Sequence, residues 1–355
     1  MYGFNGIVLS RKGFDSSAGG GYSPFDPNKG RKYIWLPIPE KESIATGISN
    51  ELKFEDITIE DNYLPGYGAT NLRELLERFA EGRENREVRS EIGKWPPTLP
   101  KGEKEKIDCK HAHLDPWLKN CPWLKKESKH SLGAFGQQDQ AQSSLEKQKV
   151  GKDTLFLFFS RFVPVPKRKK SNPKIDIENK YTRNHLNGGL YFIYGWFKVG
   201  EIIHSFEEIK EKIPNPKLSE ELREQHPHAT EDYFEKCKYK NNTIYIADEL
   251  LLPDDTILGC GYFRTLSDKR LLTATDSDQE EMSWMASRWK LPPGLSRERC
   301  YPDSPFEKAN WVWAKDETPL VETVIKKYRH WQEASFEETE EFCDWLKELL
   351  PEMRP

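Results

Sequence analysis

Two stretches constrain the fold of this chain more than any others: Asp153-Thr-Leu-Phe-Leu-Phe-Phe-Ser-Arg-Phe162 and Leu190-Tyr-Phe-Ile-Tyr-Gly-Trp-Phe-Lys-Val199. Both are apolar and rich in aromatics, and the first is too short for a buried helix to be favoured, so both read as strands. Gly200-Glu-Ile-Ile-His204 continues the second. Shorter runs at 6–9, 33–36, 242–247 and 256–263 read as further strands, the one at 33–36 stopped by Pro37 and Pro39. Helical spacing governs 70–93, where Leu72, Leu75, Leu76 and Phe79 share a face. It also governs 317–350, with Val321, Val324, Ile325 and Tyr328 as one apolar stripe and Phe342, Trp345 and Leu346 as another. Short helices or loops fill 204–223 and 231–238. The expectation is an α+β fold: a mainly antiparallel β core with peripheral helices and long irregular loops.

Composition narrows the class. The 355 residues include 54 basic and 58 acidic ones, a formal net charge of −4, which excludes a binder that holds nucleic acid by bulk charge alone. Apolar residues at 36% and charged residues at 32% would suit a disordered chain, but 11 Trp, 14 Tyr and 18 Phe do not, because such side chains collapse into cores. No apolar run approaches the roughly 18 residues a bilayer span needs. No secretory signal is visible and the six Cys are scattered, so the reading is a cytoplasmic protein with reduced thiols. The absence of a Gly-x-Ser-x-Gly elbow and of a Cys–His signature speaks against a serine or cysteine hydrolase.

Five segments could carry chemistry. Arg11-Lys-Gly-Phe-Asp15-Ser-Ser-Ala-Gly-Gly-Gly21 follows a short buried strand. Arg11 and Lys12 could meet a phosphate, and Asp15 offers a carboxylate; the alternative is a Gly-rich turn capped by Asp15. Cys109-Lys-His-Ala-His113-Leu-Asp115-Pro, with Cys121 behind it, admits two metal readings. Cys109, His111, His113 and Cys121 could bind structural zinc. Alternatively, His113 and Asp115 form a His-x-Asp pair that one distant His would complete into a two-His, one-carboxylate face suited to non-haem iron. In His226-Pro-His228 the proline holds the backbone extended and could aim an imidazole into a pocket, or the segment is an exposed turn. Gln137 and Gln142 could read a base edge, with Phe135, Phe158, Phe159 and Trp196 available to stack on a base, although Gln runs often only start helices and strand Phe is often core. Lys167-Arg-Lys-Lys170 is a basic tip that could touch phosphate or act as an address, or simply be solvated.

Several of these segments resemble the family called nucleotide modification associated domain 3. The stretches that carry the likeness are Leu9-Ser-Arg-Lys-Gly-Phe-Asp-Ser16, Leu36-Pro-Ile-Pro39, His113-Leu-Asp-Pro116, Ala134-Phe-Gly-Gln137, Ala141-Gln142-x-x-Leu145, Leu155-Phe-Leu-Phe-Phe159, Gly195-Trp-Phe-Lys-Val-Gly-Glu201 and His226-Pro-His228. They are collinear over roughly residues 1–290. The far C-terminus departs, with Trp331-Gln-Glu-Ala-Ser335 where a Gly-Gln-Glu-Phe-like segment is expected. The resemblance implies association with systems that alter DNA bases in phages and bacteria. It singles out Arg11, Lys12, Asp15, His113, Asp115, Gln137, Gln142, His226 and His228, and adds nothing for Cys109, Cys121 or Lys167–Lys170. A fainter likeness, over about residues 135–265, is to β-barrels of the PUA and EVE type, which implies a barrel able to hold a flipped or modified base.

The combined expectation is a single family domain over 1–355. It has a loop-rich segment carrying ligand motifs at 1–130, a β core, PUA-like in one reading, at 131–265, and a helical segment at 266–355. Its expected function is that of a metal-dependent enzyme acting on a nucleotide or a base in DNA. Iron is favoured, with zinc as the alternative. Asp15, Arg11 and Lys12 are the expected catalytic or phosphate-holding residues, Gln137, Gln142, Phe158 and Trp196 contact substrate, and His113, Asp115, His226 and His228 supply metal ligands. The alternatives are a non-catalytic reader of a modified base, or a structural subunit of a modification complex anchored by Trp284, Trp289, Trp311 and Trp313. Expected partners are DNA or nucleotide and other proteins of the modification system, without a membrane.

Overall fold

The computed structural model describes residues 1–14, 22–26, 30–39, 52–61, 63–64, 68–81, 111–126, 129–164, 189–236, 240–274, 288–302, 307, 309–313, 319–322 and 333–354. Asp15, Cys109, Lys167–Lys170, Trp284, Val324, Ile325, Tyr328 and the helix expected at 82–93 lie outside them.

In chain order the strands are β1 (Gly6–Arg11), β2 (Ser23–Phe25), β3 (Ile38–Pro39), β4 (Ala112–His113), β5 (Ala134–Gln137), β6 (Thr154–Pro164), β7 (Leu190–Ile203), β8 (Thr243–Ala247), β9 (Cys260–Tyr262), β10 (Arg288–Lys290), β11 (Asn310–Trp313), β12 (Pro319–Glu322) and β13 (Glu333–Phe336). The helices are α1 (Leu72–Glu81), α2 (Asp139–Lys147), α3 (Glu208–Lys212), α4 (Pro216–Gln225), α5 (Glu231–Lys236) and α6 (Glu340–Met353). An eight-stranded sheet runs β13-β1-β6-β7-β8-β5, with β2 also on β6 and β9 also on β7. β1 and β2 run parallel to β6 and the other pairs are antiparallel. The α+β expectation therefore holds, with two parallel pairings inside a mainly antiparallel sheet.

The apolar runs of β6 and β7 are buried on both faces, which explains why they show no polar alternation. Phe156 and Phe158 join one core with Phe135, Phe197, Tyr245, Trp35, Trp117 and α1 residues Leu72, Leu75 and Leu76. Leu155, Leu157 and Phe159 join a second core with Trp196, Trp289 and the α6 residues Phe342, Trp345, Leu346 and Leu349.

Two expectations are corrected. The sheet path is open, with β13 and β5 at its ends, so no closed barrel forms among the described residues and a PUA-like barrel is not what the chain builds. One side-chain bond links the two ends instead, Gln137 Nε2 donating to Glu333 Oε1 at 2.7 Å, and β13 is also tied to the end of α2, where Ser335 N donates to Gln148 Oε1 at 3.0 Å. Nor is 317–350 one helix. Residues 319–322 and 333–336 are strands, and helix begins only beyond Thr339, whose hydroxyl caps the Phe342 N–H. Pairing overrides the local periodicity here. β13 lies antiparallel to β1, sending Ala334 and Phe336 into the second core. Of the Trp residues considered as interface anchors, Trp289 is buried against Phe159 and Tyr191.

Candidate metal centre

The register Ile38↔His113 between β3 and β4 sets His113 at the rim of the first core, half-buried. Two residues on, Asp115 turns inward and is 4% exposed. Its Oδ2 lies 3.0 Å from Lys12 Nζ, and its Oδ1 accepts from Gly136 N at 2.8 Å. Lys12 also donates to Gly136 O at 3.0 Å. Burial alone would raise the Asp115 carboxyl; Lys12 first, then His226 and His228, hold it far below the usual carboxylate range.

His226 and His228 enter from the end of α4. His226 closes that helix and caps a short 3₁₀ turn, Pro227–Ala229, by accepting the His228 N–H on Nδ1 at 3.2 Å. In neutral His226 the proton is therefore on Nε2, which faces Asp115 Oδ1 at 3.4 Å. The ring is fully buried, and Nε2, though it faces Asp115, makes no hydrogen bond among the described residues. His228 differs. Asn242, just before β8, lies with Oδ1 2.9 Å from His228 Nδ1 and donates from Nδ2 to His228 O at 2.8 Å. An amide oxygen requires a donor, so Nδ1 carries the proton and Nε2 keeps its lone pair. That Nε2 faces His113 Nε2 at 3.2 Å. Burial, then His113, lowers the His228 pKa to about 3, so the ring is neutral near pH 7. Gly136 makes this approach feasible, since a Cβ there would land on the His228 ring.

Among the described residues, His113, Asp115 and His228 form the group whose ligand atoms all lie within 4.8 Å of one another. Two nitrogens about 2.1 Å from one ion, at the angles of octahedral or tetrahedral coordination, stand about 3.0–3.4 Å apart. The observed 3.2 Å fits that spacing.

The other sequence candidates are distributed as follows. Arg11 ends β1, half-buried, and acts electrostatically on Glu333. Lys12 points inward to Asp115 and Gly136. Gln137 bonds Glu333, and Gln142 is buried in α2, accepting from the Tyr245 hydroxyl at 3.0 Å and donating to Glu146 at 3.2 Å. Phe158 is fully buried among Phe135, Phe156 and Phe197, whereas Trp196 lies in the second core with its indole N–H bonded to Leu258 O. Cys121 is buried, and burial pushes its thiol up to about 12. A surface cleft of about 590 Å³, lined in part by Arg31, Arg264 and Arg354, includes none of these candidates.

Sequence reasoning passed over Asn242 and Glu333. Asn242 carries no motif. Glu333 sits in the Trp331-Gln-Glu-Ala-Ser335 segment where the resemblance falters. It is 4% exposed, and burial raises its carboxyl to about 7 against the opposing pull of Lys12, Arg11, Gln137 and Ser10.

Fold and site together define an α+β protein in which two imidazoles and a cation-paired carboxylate converge beside an open, curled sheet. The chain belongs to the nucleotide modification associated domain 3 family, which it matches over residues 6–333. No curated protein and no solved structure matches it. The family description ties the chain to nucleotide modification. No described helix is long and apolar enough to cross a membrane.

Proposed function

We propose that this chain is a metal-dependent enzyme that modifies a nucleotide or a base in DNA, with His113, Asp115 and His228 holding one ion. The observation that carries the reading is the 3.2 Å approach of two imidazole Nε2 atoms beside a buried carboxylate. A donor set of nitrogen and oxygen without thiolate favours iron, with zinc next. When bound, such an ion would supply a Lewis-acid or redox centre with open positions for substrate.

The chain's own residues divide the remaining work. Asn242 orients His228, the second-sphere role that fixes a ligand's tautomer. His226 supports Asp115 and is not itself a ligand in this reading, because its Nδ1 accepts the His228 N–H and its Nε2 carries the proton toward Asp115. Lys12 balances the Asp115 charge, which leaves Arg11 and Asp15 as the groups to meet a substrate phosphate or proton. Gln137 orients the base, while Gln142 steadies Tyr245 behind it. The base-reader alternative draws less support, since Phe158 and Trp196 are buried in separate cores.

Elemental analysis of protein purified without a polyhistidine tag tests the proposal. About one ion per chain, lost in His113→Ala and His228→Ala, is the expected result. No metal, or metal retained in both variants, overturns it.

A further inference from the structure

The cleft of about 590 Å³ shares no residue with the metal centre. It lies between Gly30 and Arg31, the segment 264–269 that follows β9, and the last turn of α6 with Arg354. Leu266 and Pro351 supply its apolar lining, and the remaining side chains are polar or charged. Its four cations, Arg31, Arg264, Lys269 and Arg354, outnumber its two carboxylates, Asp268 and Glu352. Arg31 meets both Asp268 oxygens, at 2.9 and 3.2 Å, and Arg31 O accepts the Leu266 N–H at 3.1 Å, which ties these two walls together. Lys269 pairs with Glu348 at 2.8 Å and Arg354 with Asp255 at 3.7 Å. Glu352 is matched by the buried Arg270 at 2.8 Å. Arg264 is the exception. It is exposed, and its guanidinium has no ion pair or hydrogen bond among the described residues. Lys32, also exposed and outside any ion pair among the described residues, lies 4.9 Å over the Tyr63 ring, and the Tyr63 hydroxyl donates to Arg264 O at 3.3 Å. A second unpaired cation therefore adjoins the cleft. Ser267 Oγ accepts the Lys269 N–H at 3.4 Å and keeps its own O–H to donate, and the Thr265 hydroxyl is a further donor in the lining.

We propose that this cleft binds a phosphate group of a nucleotide, free or within a strand, with Arg264 as the principal contact and the Thr265 and Ser267 hydroxyls as supporting donors. A guanidinium without a counter-charge in a polar cleft favours an anion, and its planar fork matches two oxygens of one phosphate. The neighbouring pairs are partly exposed and individually weak, so Arg31 and Arg354 can turn to an arriving phosphate at small cost. The volume lies within the roughly 300–1,000 Å³ of small-ligand sites, enough for one nucleotide unit. An apolar ligand would find only Leu266 and Pro351 to pack against. The choice of phosphate among anions rests on the nucleotide-modifying reading above, while the site itself uses none of the metal ligands. With Lys12 turned inward to Asp115, the cleft takes over the phosphate-holding role expected of that residue.

The test uses two probes in EDTA: labelled single-stranded homopolymers of about 12 nucleotides, of thymidine and of deoxyadenosine, followed by fluorescence anisotropy, and thymidine monophosphate followed by calorimetry. Arg264→Ala keeps the backbone carbonyl that Tyr63 bonds and leaves the surrounding ion pairs intact. It is expected to weaken whichever probe binds about tenfold. For the strands the loss is expected to be the same for both bases, with the slope of log affinity against log salt lowered by about 0.7. Arg297→Ala, which removes an exposed arginine outside the cleft, is expected to leave affinity and slope as they were. Binding of the strands alone assigns the cleft to the polymer backbone, and binding of the monophosphate assigns it to a free nucleotide. No binding of either probe, binding unchanged in Arg264→Ala, an equal loss in Arg297→Ala, a loss confined to one base, or thymidine binding as well as its monophosphate overturns the proposal. Because the readout is metal-free, its failure leaves the metal reading to the elemental analysis, and failure of the metal reading leaves this result standing.

Discussion

His113 and His228 face each other Nε2 to Nε2 at 3.2 Å, although they are 115 positions apart in the chain. Asn242 holds one of the two rings from behind, with its Oδ1 2.9 Å from His228 Nδ1. Replacing Asn242 by Ala should weaken metal affinity about 10- to 100-fold, the usual effect of losing a second-sphere partner. Competition with a chelator of known affinity measures this, and unchanged affinity would remove Asn242 from the site.

Lys12 and Asp115 form a buried pair at 3.0 Å, with side chains 8% and 2% exposed. Lys12→Met strands the carboxylate and should cost about 3–5 kcal/mol in denaturant unfolding. The sign of the pH dependence follows from the lowered folded-state pKa. The pair's stabilisation is present above the unfolded value near 3.8 and is lost as the solution is acidified below it. The native protein should therefore lose up to about 1.4 kcal/mol per pH unit from this group in acid, and Lys12→Met should lose less. A loss under about 1 kcal/mol in Lys12→Met would show the pair to be unimportant.

Glu333 predicts the opposite slope. Its folded-state value, about 7, lies above the ordinary 4.5, so its contribution is complete below 4.5 and disappears as pH rises through 7. The full change approaches about 3 kcal/mol. Thermal unfolding from pH 4.5 to 8 should show this decline in the native protein and a flatter profile in Glu333→Gln. Identical profiles would mean that the carboxyl is ionised throughout.

Phe158 is wholly buried between Phe135, Phe156 and Phe197. Phe158→Ala should cost about 3–5 kcal/mol of stability through the cavity it leaves, seen as a lower melting temperature. Unaltered stability with lost oligonucleotide binding would return Phe158 to the role of stacking platform.

How much could be read along the chain depended on the range of the interaction. The strands at 154–164, 190–203 and 243–247 follow from apolar runs, which neighbouring residues impose on one another, whereas 204–223 reads as short helices or loops alike and folds into helices at 208–212 and 216–225. His-x-Asp at 113–115 and His-Pro-His at 226–228 were equally visible as candidates. By contrast, 333–336 reads locally as part of a helix but becomes a strand because β1 offers it a ladder and a core for Ala334 and Phe336.

The sequence by itself determined the α+β class, the two aromatic strands and the segments in which candidate site residues lie, since these rest on side-chain type and periodicity over a few residues. Tertiary structure decided what each candidate faces. It turned Lys12 from a phosphate contact into the counter-charge of Asp115, set His226 Nδ1 on the His228 N–H and its Nε2 toward Asp115, left His228 with a lone pair aimed at His113, and buried Phe158 and Trp196 in separate cores. The physical reason is that charge state, tautomer and exposure are set by desolvation and by partners distant in the chain. Only the tertiary packing brings those together.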